Sequence, residues 1–158
     1  ALTCGLVLCL GLSGCNDKNN NQDTADYADT VSLVAYDAQK DTDYTIEYKI
    51  TEPANAPVFE VAYAYESAVI EEAYAKEAVI NKMTVDTSVK LTIDFKEDRV
   101  LGLGLGAAAE SAVFENLIET IVLNCPEVTT IYFTMDGGNF ETGHLYFAAD
   151  EAAWSKVE

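Results

Sequence analysis

Histidine and closely paired cysteines, which build most metal and hydrolytic sites, are nearly absent from this sequence. Its 158 residues include one histidine, His144, and none of its four cysteines forms a Cys-x-x-Cys pair. A zinc site requires several nitrogen or thiolate ligands at short spacing, and a serine triad requires a nucleophile motif such as Gly-x-Ser-x-Gly. We therefore predict a protein that is not an enzyme and that holds no metal or cofactor.

Basic side chains are also scarce. Nine lysines and arginines stand against 27 aspartates and glutamates, which gives a formal net charge of −18 at pH 7. The basic residues are scattered along the chain, and a surface of this sign repels phosphate backbones and anionic headgroups. We therefore exclude nucleic acid as a partner and expect any membrane attachment to come from a lipid rather than from charge.

The chain begins with an uncharged apolar stretch, residues 1–15, that contains three of the cysteines. It is shorter than the ~20 residues of a membrane-spanning helix, but it suits the apolar region of a secretory signal. We expect the basic n-region of that signal to precede Ala1. The last four residues, LSGC, resemble the lipobox of bacterial lipoproteins, whose cysteine thiol forms a thioether to diacylglycerol. We predict that the signal segment ends at Cys15 and that this residue is lipidated, which places the protein outside the cytoplasm on the cell membrane.

The composition changes abruptly after Cys15. Residues 16–30, NDKNNNQDTADYADT, contain almost no aliphatic side chains, which is typical of a flexible polar linker. Their acids suggest a calcium-binding loop, but Gln22 replaces the turn glycine of an EF-hand and Ala28 its closing glutamate. We predict a linker here, a folded domain over 31–150 and a C-terminal tail over 151–158.

Within the domain, the apolar pattern alternates between the two-residue period of strands and the 3.6-residue period of helices. It predicts strands at 31–36 and 44–51, a helix at 58–78 whose start would also suit a strand, a hairpin at 79–95, a helix at 107–124, and a closing hairpin of 128–135 with 143–149. The order β-β-α-β-β-α-β-β predicts an α+β fold, a mainly antiparallel sheet with two helices packed on one face.

The helix at 107–124 has the clearest amphipathic pattern. Its apolar stripe consists of Val113, Phe114, Leu117, Ile118, Ile121 and Val122. Glu110, Glu115 and Glu119 occupy the opposite side, and Pro126 ends the segment. We expect the stripe to be buried and the glutamates to be exposed.

A glycine-rich segment before this helix has the spacing of a dinucleotide-binding turn. Gly102, Gly104 and Gly106 stand in GLGLGA, and in such turns backbone N–H groups approach a pyrophosphate. However, the predicted strand before it belongs to a tight hairpin rather than to a parallel β-α-β series. We therefore interpret 96–106 as a loop of small residues.

The other candidates for chemistry have structural interpretations. His144 lies beside a predicted turn, where a turn-stabilising hydrogen bond is its expected role. Cys125 follows an apolar helical run, so we predict a buried thiol rather than a nucleophile. Glu66, Glu71 and Glu72 suggest paired carboxylates, but adjacent helical side chains diverge by about 100°. We assign these glutamates to a solvated acidic face.

The second half of the domain resembles the GerMN domain of bacterial envelope lipoproteins. The resemblance rests on Ile93-Asp94-Phe95 in VKLTIDFKED, on the spacing from Gly106 to Glu110, on the run from Pro126-Glu127-Val128 to Asp136-Gly137, and on Gly143-His144. It covers 79–148 by sequence and 31–78 by element order only. The resemblance implies an α+β domain without known catalytic residues that serves in envelope or spore-coat assembly and is related to ring-building modules.

These features predict a non-catalytic, lipid-anchored extracytoplasmic domain that assembles with other envelope proteins, of the sporulation or germination type by resemblance. The alternative is an extracytoplasmic module that binds a glycan, a small molecule or a divalent cation. We expect Tyr36, Tyr48, Tyr132 and Tyr146 to line a sheet face. An open cleft of exposed aromatic rings would favour glycan binding, and a flat patch would favour assembly.

We predict that the fragment 16–158 is monomeric at low salt. Two like charges about 10 Å apart in water repel by about 0.4 kcal/mol, and many such pairs oppose contact between chains of net charge −18. Because salt shortens this repulsion to roughly 8–10 Å at physiological strength, assembly should require salt, divalent cations, a basic partner or crowding on a membrane. Light scattering after size exclusion at two salt concentrations tests this. A stable oligomer at low salt without cations would contradict it.

Overall fold

The computed structural model describes residues 30–50, 57–74 and 76–157. The predicted signal segment with Cys15, and the predicted linker except Thr30, lie outside the described residues. The elements in order are β1 (Thr30–Asp37), β2 (Thr42–Lys49), α1 (Pro57–Tyr65), a π-helical segment (Glu66–Ala73), β3 (Ile80–Val85), β4 (Lys90–Phe95), α2 (Glu97–Leu101), α3 (Ala107–Asn124), β5 (Thr130–Met135), β6 (Gly138–Glu141), β7 (Tyr146–Phe147) and β8 (Ala152–Ser155). None of the helices in these ranges is both long and apolar enough to cross a membrane.

The strands form two sheets, and the predicted α+β fold is confirmed. β1 and β2 pair antiparallel in a small sheet of their own, whereas the sequence predicts a single sheet. The larger sheet has the order β3-β4-β5-β6-β7, and β8 pairs with the first half of β5. β4 and β5 run parallel because α2 and α3 cross over between them, and the other strand pairs are antiparallel.

Four buried phenylalanine rings fix α3 to the larger sheet. They are Phe95 on β4, Phe114 on α3, Phe133 on β5 and Phe140 on β6. Their ring centroids lie 4.9–6.0 Å apart, and five of the six pairs meet edge to face. Such a pair contributes about 0.5–1.5 kcal/mol beyond the burial of its area. The cluster therefore makes a large contribution to the stability of the core.

The predicted helix at 58–78 forms in two parts. It begins with Pro57, where the missing N–H of proline breaks no intrahelical hydrogen bond, and it continues after α1 as the π-helical segment. The buried carboxylate of Glu66 accepts hydrogen bonds from the N–H groups of Val79 and Ile80 at 2.7 and 2.5 Å. Glu66 therefore ties this segment to the start of β3, and its assignment to a solvated acidic face is wrong.

The end of the chain also differs from the prediction. Asp136 and Gly137 have φ angles of 49° and 79° and form a tight turn between β5 and β6, after which β7 pairs with β6. The sequence predicts a tail from residue 151, whereas β8 belongs to the larger sheet with Trp154 opposite Ile131. A strand of four residues is too short to give a periodic signal.

The predicted helix at 107–124 is confirmed with the same bounds, as α3. Four members of its apolar stripe, Val113, Phe114, Leu117 and Ile121, are almost fully buried. The other two, Ile118 and Val122, are only partly buried. The stripe is therefore wider than the face that the core covers.

Leu117→Ala should lower the free energy of unfolding by about 2–5 kcal/mol, because it leaves a cavity in the core. Leu123→Ala is the matched control, since it is the same substitution in the same helix at a side chain that is 56% exposed. We expect that control to change the stability by no more than about 0.5 kcal/mol. Urea denaturation of both variants provides the measurement, and equal losses would show that the buried face of α3 is wrongly assigned.

Candidate functional site

α3 closes the open edge of β1 with polar side chains. Among the described strands β1 pairs with β2 alone, so the N–H and C=O groups of its other edge need partners. Asn124 accepts a hydrogen bond from the Ser32 N–H at 3.1 Å and donates one to the Ser32 carbonyl at 2.7 Å. Thr120 accepts one from the Val34 N–H at 2.8 Å. These side chains take the place of a neighbouring strand. A second face of α3, beside the one that packs on the larger sheet, is therefore in contact with the rest of the fold.

The remaining side of α3 forms an apolar groove with β8. This α3–β8 groove has a volume of about 500 Å³ and is lined by Glu115, Ile118, Glu119, Val122 and Leu123 from α3 with Ala153 and Trp154 from β8. Leu123 is 56% exposed, and Ile118, Val122 and Trp154 are partly exposed. Side chains that the sequence assigns to the buried stripe therefore meet solvent in the groove.

The charges that line the groove are all negative. Glu115 and Glu119 lie one helical turn apart along it, and no basic residue stands in the last turn of α3. The C-terminal end of α3 adds the negative end of the helix dipole. Lys156, beyond β8, donates from its ammonium group to the Pro126 carbonyl at 3.0 Å. The groove thus combines apolar walls with carboxylates.

Two of the GerMN-like sequence motifs meet at one buried carboxylate. Asp94 accepts hydrogen bonds from the Thr134 hydroxyl at 2.7 Å, the Gly137 N–H at 2.7 Å and the Asn81 amide at 2.8 Å. Burial alone would raise the pKa of Asp94, but these hydrogen bonds together hold it below its usual value. The carboxylate therefore links three strands and a turn.

The other two motifs also meet. The Glu110 carboxylate, in the first turn of α3, accepts a hydrogen bond from the Thr142 hydroxyl and lies 3.4 Å from Nδ1 of His144. The backbone N–H groups of His144 and Leu145 donate to the Thr142 hydroxyl oxygen at 3.2 and 2.9 Å. This arrangement holds the loop between β6 and β7 against α3.

The glycine-rich segment connects two helices. The predicted loop at 96–106 contains α2, so a helix rather than a strand comes directly before the glycines. Gly104 has a φ of 61°, which favours glycine, and a Cβ on Gly102 would lie 2.9 Å from the Asp98 carbonyl oxygen. These glycines are needed for a tight turn between α2 and α3. The strand that precedes a dinucleotide-binding turn is missing here.

Cys125 is buried, as the sequence predicts. Its thiol is free and 2% exposed. Burial raises the pKa of Cys125 to about 12, so the thiolate that a nucleophile requires is scarce. Among the described residues, no group of three or more His, Cys, Asp or Glu side chains could hold a metal ion.

The four tyrosines do not line one face. Tyr36 and Tyr48 belong to the small sheet, whereas Tyr132 and Tyr146 belong to the larger sheet. The prediction of a single tyrosine face is therefore wrong, since it assumes one sheet.

The α3–β8 groove was not predicted from the sequence. Two features of the sequence indicate it, the width of the apolar stripe of α3 and the single tryptophan, Trp154.

Comparison with solved structures shows that the fold is similar to that of a GerMN domain. The structure is similar to the first GerMN domain of the sporulation protein GerM from Bacillus subtilis, with a TM-score of 0.52 and 8% identity over 78% of this chain and 97% of that one. The tandem GerMN domains of the same protein align with a TM-score of 0.43 and 13% identity over 80% of this chain and 45% of theirs. No family model matches the chain, and no curated protein matches it. The chain therefore has a GerMN-like fold, and the resemblance in its motifs is confirmed at the level of the fold.

Asp94→Ala should lower the free energy of unfolding by about 1–3 kcal/mol for each buried donor left without an acceptor. Asp94→Asn should lower the stability less than Asp94→Ala, because the asparagine carbonyl oxygen can still accept hydrogen bonds from Thr134 and Gly137.

The pKa of Asp94 is lower in the folded state than in the unfolded state, where it is about 3.9. The charge of Asp94 therefore stabilises the fold above about pH 3.9, and this stabilisation is lost as the pH falls through the pKa of the folded state. The stability difference between wild type and Asp94→Asn should therefore stay constant at neutral pH and shrink as the pH falls below about 4.

Denaturation at several pH values measures this difference. Asp150→Asn is the control, because it removes an exposed aspartate. If the two Asp→Asn variants follow the same pH profile, Asp94 does not make the assigned contribution.

Proposed function

We propose that this protein is a non-catalytic, lipid-anchored domain of the bacterial cell envelope that works by binding other envelope proteins. The observation that carries the proposal is the α3–β8 groove, an open apolar surface on a GerMN-like fold. Contiguous exposed apolar side chains mark an interaction surface more often than single exposed ones do. A role in sporulation or germination is part of the proposal, supported by the fold that the chain shares with a domain of a sporulation protein.

The use of the polar residues supports a binding role rather than a catalytic one. Asp94, Glu66 and Glu110 accept hydrogen bonds that hold strands, a helix and a loop in place. A general acid or base must instead reach a substrate. These three acids therefore have structural roles, and the apolar groove offers a surface for a partner.

Glycan binding has less support. Sugar rings stack on exposed aromatic platforms, and the groove contains one aromatic side chain, Trp154, among aliphatic neighbours such as Val122 and Leu123. A divalent cation would need several oxygen ligands that converge on one point. Glu115 and Glu119 supply only two carboxylates, and an apolar wall lies beside them.

The lipid anchor rests on the lipobox at Cys15. On this proposal the polar segment that follows it tethers the domain to the membrane, and β1 begins at Thr30. Such a tether concentrates the domain at the membrane, so a weak contact with another anchored protein gains from proximity. Anchoring therefore suits a protein that acts by assembly.

Cys15→Ser should abolish lipidation and leave an unprocessed precursor, because the serine hydroxyl cannot form the thioether. Labelling cells with a fatty acid, followed by Triton X-114 partition and intact-mass measurement, provides the test. Cys9→Ser is the control, since it makes the same change inside the apolar segment and should be lipidated normally. A Cys15→Ser protein that incorporates the label as wild type does would refute the anchor.

A further inference from the structure

We propose that the α3–β8 groove binds a cationic amphipathic segment of a partner protein, with apolar side chains on one face and lysine or arginine beside them. This inference rests on the proposed function and adds the chemistry of the partner. It follows from three properties of the groove, which are its apolar walls, the sign of its charge and its size.

The apolar walls provide the contact surface. Ile118 and Val122 lie one turn apart on α3, Leu123 projects beside them with 56% of its surface exposed, and Trp154 stands on the β8 side. In many peptide complexes an amphipathic helix lays its apolar face into a hydrophobic groove of this kind. A large aromatic side chain at the centre of such a contact is often an energetic hot spot.

The charge of the groove selects the partner. Glu115 and Glu119 lie among the apolar side chains, and the lining contains no lysine or arginine. The last turn of α3 contains no basic residue, and the whole chain carries a net charge of −18. A basic segment would be attracted and could pair with the two carboxylates. An acidic segment would be repelled, and so would the same face of a second copy of this chain.

The size of the groove sets how much of the partner enters. A volume of about 500 Å³ lies within the range of roughly 300–1,000 Å³ in which proteins hold compact ligands. This space suits a few apolar side chains from one face of a helix. The basic residues would stay at the edge, where the long stems of lysine or arginine can lie along apolar surface while their charged ends reach the carboxylates.

The chain carries its own reporter for this interaction. Trp154 is the only tryptophan among 158 residues, and it lines the groove. The probe is a synthetic peptide without aromatic residues, with leucine and lysine at helical spacing. It is titrated into the full chain in neutral bicelles, with tryptophan emission as the readout. We expect a saturable change in Trp154 emission that weakens as salt is added.

Two matched pairs of variants locate the binding. Leu123→Asp should weaken binding of the peptide by about tenfold or more, whereas Leu101→Asp, a leucine that is 53% exposed on α2, should leave it unchanged. Glu119→Lys should also weaken it by about tenfold. Glu72→Lys makes the same charge change at an exposed residue of the π-helical segment and should have little effect.

Three results would overturn the proposal. The first is no change in Trp154 emission at any peptide concentration, and the second is equal binding of a peptide with glutamate in place of lysine. The third is equal weakening within either pair of variants. These results are distinct from failure of the proposed function, because Cys15→Ser should not change peptide affinity in this assay. If lipidation is found and the peptide does not bind, the anchored domain uses another surface.

Discussion

A strand edge that must be satisfied by a helix is the constraint on which much of this structure depends. β1 has no second strand beside it in the described chain, and a buried edge with unpaired N–H and C=O groups would cost about 1–3 kcal/mol for each group. Asn124 and Thr120 of α3 remove that cost, and the amide of Asn124 does so by donating and accepting at the same residue, Ser32. The small sheet can therefore join the core without extending the larger one.

This constraint determines what each side of α3 is free to do. Phe114 packs into the phenylalanine cluster of the larger sheet, and Thr120 binds β1. An amphipathic helix with an ordinary apolar stripe would then present only polar residues to solvent. The apolar stripe of α3 is wider than its buried face. Ile118 and Val122 therefore stay partly exposed and line the groove together with Trp154. The groove is thus a consequence of fitting one helix between two sheets.

The sequence predicts the parts of this arrangement that depend on local periodicity. The bounds of α3, the hairpin with buried Leu91 and Ile93, and the α+β class all follow from short-range patterns. The groove does not, because it requires β8, whose four residues carry no periodic signal. The burial of Asp94 could not be predicted from local pattern either, because its partners Thr134 and Gly137 are about 40 positions away in the sequence. The parallel pairing of β4 with β5 brings these residues together.

The acids that hold the fold together and the acids of the groove lie in different parts of the structure. Asp94 accepts hydrogen bonds from three donors and Glu110 accepts one from Thr142, so both carboxylates hold a turn or a loop in place. Glu115 and Glu119 lie farther along α3, in a groove whose lining contains no lysine or arginine. Glu110 holds a loop at the start of the same helix, and the groove begins beyond it. Because the two groups occupy different parts of α3, substitutions at Glu119 or Leu123 can change binding while the hydrogen bonds that maintain the fold stay in place.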